Sequence, residues 1–193
     1  MTAYLLAHPP RHPSLRFAGS RLAGFLAADP AAAPFRRRWP WAAELASLEW
    51  ALVDAFDARD APPLTRERLA GLPLARWPEL RLAFHASVRL LRLAWPVHDA
   101  RAAWERSEAP PPPAGARPSP VCVWRRAERV CYRALEPLEA DLLEAALGGA
   151  PFSALCARAA RALGDDAAPA FVAARVGRWL GDELLREDRL PGD

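Results

Sequence analysis

Residues 118–187 constrain the fold more than any other stretch of this 193-residue chain. Two short alternating apolar runs, 121–124 and 130–133, are joined by Arg125-Arg126-Ala127-Glu128-Arg129. Three amphipathic helical segments follow, at about 137–147, 151–163 and 169–186. A β-hairpin leading into three helices is a compact winged-helix pattern. Such a unit grips either a nucleic-acid duplex or an extended peptide laid along a strand edge. Pro137, Pro151 and Pro169 stand where helices start. Gly148-Gly149 supplies the stop between the first two. In the third helix Val172, Val176, Trp179, Leu180 and Leu184 share a face, with Trp179 expected as a core anchor.

The segment 109–120 carries four consecutive prolines, Pro110 to Pro113. It excludes a helix interior and favours a polyproline II spacer. The expected division is therefore a helical N-terminal domain at 1–108, a Pro-rich linker at 109–120 and a winged-helix-like domain at 121–190. In the N-terminal part Ser14 is placed to cap a helix running to about Ala28, and a second helix is expected from about Trp41 to Arg59. Glu49 lies at the edge of that helix's apolar stripe, where an arginine partner is the ordinary outcome. Thr65 is placed to cap a further short turn. Leu80, Leu82 and Phe84 alternate with Arg81, Ala83 and His85, and 88–93 continues as a second extended run, so a short strand pair is expected near 79–94. Pro96 then opens a short helix. The class expected is α+β, mostly helical.

The chemistry-bearing residues assemble into nothing catalytic. Cys122, Cys131 and Cys156 include no CxxC, and His8, His12, His85 and His98 show neither HExxH nor HxxxH spacing. Any register that puts Val121 and Val123 with Val130 and Tyr132 places Cys122 and Cys131 together on the other face, where small apolar packing is expected. Ser87 follows His85 without a nucleophile elbow or an orienting acid. There is no glycine-rich phosphate loop. No metal or cofactor is expected, and the chain reads as a non-enzyme. No uninterrupted apolar run approaches a membrane span, and the first residues lack a basic n-region, which fits a cytoplasmic protein with no membrane partner. All the strongly basic side chains are arginines, and the net charge of +3 permits nucleic-acid contact without demanding it.

Two binding surfaces come out of the residues. The hairpin offers a strand edge, with Val121, Val123, Val130 and Tyr132 beside a groove lined by Val172 and Val176 of the third helix, as an acceptor for an added peptide strand. The alternative is DNA, held by Arg36, Arg37 and Arg38 beside Trp39-Pro40-Trp41 and by Arg158 and Arg161 of segment 151–163. That segment is thin for a recognition helix, since alanines surround its two arginines.

A succession of short motifs carries a family resemblance: Ala7-His8-Pro9-Pro10, Pro13-Ser14-Leu15, Leu48-Glu49-Trp50-Ala51, Asp60-Ala61-Pro62-Pro63-Leu64, Leu80-Arg81-Leu82, His85, Ser87-Val88-Arg89-Leu90-Leu91, Trp95-Pro96-Val97, Trp104 and Val123-Trp124-Arg125-Arg126. In this order they resemble the HvfC/BufC family, whose N-terminal region carries a DNA-binding-domain label. The resemblance implies a partner of multinuclear non-haem iron oxidative enzymes. It implies recruitment of a ribosomally made, Cys-containing precursor peptide, as in bufferin and methanobactin maturation linked to copper homeostasis. It also implies a C-terminal peptide-recognition element of the PqqD type, with His85, Ser87, Arg89 and Trp95 in the region expected to dock the enzyme. Members of the family usually carry several further helices before the position matching Met1. The resemblance thus describes an N-terminally shortened member with part of its helical core uncovered. Ala86 stands where the family often has proline after the histidine. The iron is expected in the partner.

Overall fold

The computed structural model describes residues 2–10, 12–109, 113 and 115–187. Pro110–Pro112 and Ala114, the middle of the expected polyproline spacer, and residues 188–190 of the expected C-terminal domain lie outside the described residues. The architecture is α+β and mostly helical, built on a small antiparallel sheet.

The sheet has three strands in the order β1-β2-β3: β1 is Arg89–Leu93, β2 is Ser119–Arg126 and β3 is Arg129–Ala134. β1 thus joins the hairpin from the other side of the Pro-rich segment, with Leu91 opposite Val121 and Arg89 opposite Val123. The hairpin is tighter than its sequence suggests. Arg126 pairs with Arg129 across a two-residue turn, and Ala127 takes a φ of 50° to close it.

The period-2 alternation of the strands sorts their side chains onto two faces. Val121, Val123, Leu91, Leu93, Val130 and Tyr132 face α4, which spans Ala42–Phe56 and presents Leu48, Ala51 and Ala55. Cys122, Trp124, Leu90 and Cys131 face the C-terminal helices α7 (Pro137–Leu147), α8 (Phe152–Leu163) and α9 (Ala168–Gly181). The charged residues of β1 obey the same alternation. Arg89 turns to Asp54 of α4 at 2.7 Å, and Arg92 turns to Asp141 and Glu144 of α7 at 2.7 and 2.8 Å. Trp179 is fully buried beneath Phe84, as its spacing predicts.

Several expectations shift. The helix from Ser14 divides into a 3-10 turn, Leu15–Gly19, and α2, Leu22–Ala28. Gly19 and Ser20 are weak helix formers, and Ser14 makes no side-chain cap. Ahead of it lies α1, Thr2–Ala7, and behind it α3, Ala33–Arg38. Thr65 does cap α5 (Arg66–Ala70), its Oγ1 accepting from the Arg68 N–H at 3.2 Å. The run 80–84 is extended but joins no sheet, and Phe84 forms an isolated bridge with Leu185. The last helix stops at Gly181. Glu183, at a φ of 59°, turns the chain so that Leu184 and Leu185 run back against Phe84 and His85. Helix α6, Val97–Glu105, starts directly after Pro96.

Candidate functional site: the outer edge of the sheet

Strand β2 is central, so the backbone near Val121 and Val123 is already paired on both sides. The open edge belongs to β3. Arg126 and Arg129 flank a two-residue turn, which makes theirs a hydrogen-bonded pair. The hydrogen-bonded positions then recur at Cys131 and Arg133. The N–H and C=O groups of Val130, Tyr132 and Ala134 therefore point away from β2. The bond from the Leu135 N–H to the Pro120 carbonyl, 2.8 Å, keeps the same phase. Among the described residues no segment pairs with that outer side.

The edge is held rigidly from beneath by a buried ionic cluster. Glu139, in the first turn of α7, is 1% exposed. It accepts from Arg133 of β3 at 2.6 and 3.1 Å and from Nε1 of Trp179 at 3.0 Å, and Arg175 of α9 lies 3.5 Å away. Arg133 also reaches Asp182 at 3.1 Å. Burial pushes the Glu139 carboxyl up, but the bonds and charge of Arg133, the Trp179 N–H and Arg175 outweigh it and hold the group below its ordinary value. The cluster ties β3, α7 and α9 into one rigid support. On the opposite face the Tyr132 hydroxyl donates to Glu105 of α6 at 2.9 Å, and burial followed by that bond pushes the phenol up to about 12. Two helices thus flank the edge.

The anticipated lining residues divide. Val130 and Tyr132 are half-buried on the edge strand itself. Val121, Val123, Val172 and Val176 are core residues with at most 1% exposure, and they present no side chain to an incoming chain. On α9 the Arg175 side chain, 3.5 Å from Glu139, lies with its guanidinium carbon 4.7 Å from the Phe171 ring centroid.

Of the anticipated docking residues, His85, Arg89 and Trp95 are half-buried. Ser87 is fully buried. Its Oγ accepts the Arg125 N–H at 2.9 Å and sits 2.7 Å from His85 Nδ1; Nδ1 accepts the Ser87 backbone N–H at 3.2 Å, so the hydroxyl donates to the imidazole. Ser87 thereby stands in for a backbone acceptor just ahead of β1. Burial, then the charge of Arg125, lowers the His85 pKa. The backbone N–H groups of Ala94 and Trp95 donate to Glu44 of α4 at 2.8 to 3.0 Å. Arg36 turns inward to the Leu26 carbonyl at 2.8 Å, whereas Arg37 and Arg38 stay exposed. Arg158 donates to the Asp141 carbonyl at 3.2 Å, and Arg161 lies exposed on α8. Glu49 finds the arginine expected for it, Arg101, at 2.8 Å.

Sequence reasoning did not single out Glu139, Asp54 or Glu44. Each looks like an ordinary solvated carboxylate, and only the helix faces packed against the sheet show otherwise. The Pro-Leu-Glu start of α7 was the one available signal, and it reads equally well as a helix-dipole preference.

Residues 86–180 match the family model of the HvfC C-terminal domain. The chain belongs to the HvfC family. The matched HvfC segment contains all three strands and the three helices after them, up to Leu180, so the open edge lies inside it. No curated protein and no solved structure matches the chain. Among the described residues no helix is long and apolar enough to cross a membrane.

Proposed function

We propose that this HvfC-family chain is a non-catalytic partner protein that recruits a ribosomally made, Cys-containing precursor peptide to a multinuclear non-haem iron oxidative enzyme, in maturation of the bufferin or methanobactin kind. Family membership supports a partner-type role. The observation that carries the peptide reading is the unpaired outer side of β3, where Val130, Tyr132 and Ala134 offer N–H and C=O groups at strand spacing. A peptide added there gains main-chain hydrogen bonds, and its alternate side chains meet α9 on one face and α6 on the other. The Glu139 cluster keeps the edge in one conformation, which lowers the ordering cost of binding.

DNA binding has weaker support. α8 exposes two arginines, Arg158 and Arg161, and Arg158 already donates to a backbone carbonyl, which is little for a recognition helix.

The test is calorimetric titration with a synthetic Cys-containing precursor peptide of the bufferin kind. Ala134→Pro and Val130→Pro each remove one outward N–H and leave the β2–β3 bonds intact. Binding weakened by at least about tenfold in either variant is the expected result, since a lost backbone bond in a partly desolvated edge is worth about 1.4 kcal/mol. Unchanged affinity in both would remove the edge from the mechanism.

A further inference from the structure

The two faces of β3 offer an incoming strand different chemistry. Alternation puts Arg129, Cys131 and Arg133 on the side of the C-terminal helices, and Val130 and Tyr132 on the side of α4. Arg126 of β2 stands directly opposite Arg129. Burial raises the Cys131 thiol while the charges of Arg129 and then Arg126 pull it back, in keeping with all three side chains sharing one face.

The charges on that face are not balanced. Arg126 holds Glu183 at 2.9 Å. Asp182 is shared by Arg133 at 3.1 Å and Arg178 at 3.8 Å, and Glu139 is shared by Arg133 and Arg175. Arg129 is exposed, and among the described residues it meets no carboxylate; Glu128, beside it in the turn, forms no ion pair with it. Like charges facing one another across two strands are unfavourable, and here only Arg126 has found relief. The N–H and C=O groups of Arg129 and Cys131 point to β2. An antiparallel strand laid on the outer side therefore meets both in non-hydrogen-bonded pairs, the closer kind, with Cα atoms about 4.5 Å apart. A carboxylate opposite Arg129 would stand beside an unanswered cation. One and three positions away the same strand faces Val130 and Tyr132, where apolar partners pack best.

We infer that the β3 edge selects a peptide segment that runs apolar, any residue, apolar, acidic, with its carboxylate beside Arg129. This rests on the peptide reading of that edge and adds the side-chain pattern by which the edge chooses among peptides. Arg129 is the specificity-determining residue, and Val130 and Tyr132 set the apolar spacing.

Fluorescence polarisation with two labelled, end-capped peptides tests it. Both carry the core Val-Thr-Val between Gly-Ser flanks, followed in one by glutamate and in the other by lysine. The glutamate peptide should bind at least about fivefold tighter at low salt, and the margin should shrink as salt is added. Arg129→Gln should remove most of that margin and Arg129→Glu should reverse it, both with an unchanged circular dichroism spectrum, since the side chain is exposed. Val130→Pro should weaken both peptides alike, because it removes an outward N–H and no charge. Equal affinity for the two peptides, with Val130→Pro weakening both, overturns the selectivity and leaves peptide binding at the edge standing. A preference for glutamate that survives Arg129→Gln also overturns it, since the charge that matters then lies elsewhere. Binding of neither peptide overturns it as well, and the calorimetric titration with the precursor peptide then judges recruitment separately.

Discussion

At the scale of single residues, Glu139 is the side chain on which most depends. It satisfies Arg133 and Trp179 together, so its removal leaves two arms of the Arg133 guanidinium and a buried indole N–H without their acceptor, with only Nε of Arg133 still held by Asp182. Glu139→Ala should cost about 3–5 kcal/mol, the range for breaking one partner out of a buried pair, read as a shift in the urea midpoint. The pH dependence has a definite sign. The folded pKa of Glu139 lies below its ordinary 4.5, so its contribution is complete above that value and is lost as pH falls through the folded pKa. His85 and His98 act earlier. Burial first of all holds both below their ordinary 6.5, so the unfolded chain takes up protons before the folded one. Stability should therefore decline as pH drops from 6.5 toward those lowered values, ahead of the carboxylates. Urea melts at pH 7.5 and 5.5 check this, and His98→Gln should reduce the difference between them.

Among the elements, the hairpin and the approach to β1 carry the local strain and the local substitution. Ala127 sits at a φ of 50°, where a Cβ crowds the following carbonyl at a cost of about 1–2 kcal/mol. Ala127→Gly relieves that crowding, partly offset by the greater freedom of glycine in the unfolded chain. The expected net gain is about 0.5–1 kcal/mol in chemical denaturation, with the edge of β3 unchanged. Ser87→Ala acts in the other direction. It strands the Arg125 N–H just ahead of β1, at about 1–3 kcal/mol, and frees the His85 imidazole from its hydroxyl donor. A rise in hydrogen exchange at Arg125 reads the loss directly. The three C-terminal helices start within a residue of their prolines because a proline start acts within a turn, whereas the third stops at Gly181, short of the 186 that its apolar spacing suggests. The helix after Ser14 is divided because the apolar periodicity bridges a Gly-Ser break that the backbone does not cross.

For the whole molecule, the decisive fact is that one thin sheet is packed on both faces by elements from opposite ends of the chain. Leu48 of α4 is fully buried against Val121 and Val123. Leu48→Ala should cost about 2–5 kcal/mol, and it should raise amide exchange in β2 and not only in α4, because the cavity opens directly onto that strand. Loosening confined to α4 would show that the helix is only loosely joined to the sheet.

The sequence determined what depends on neighbours within a few residues: the hairpin, the starts of the C-terminal helices, the Thr65 cap, and the faces to which Cys122 and Val123 belong. It also carried the ordered motifs by which the HvfC family is recognised. Tertiary structure decided what depends on distant partners. The place of β1 beside β2 moved the free edge to β3 and enclosed Val121 and Val123. The closure of α9 over the sheet buried Val172 and Val176 and turned Glu139 from a surface carboxylate into an ionic keystone. Strand alternation names two faces but not the neighbour that will cover an edge, because pairing energy is shared with a segment far along the chain.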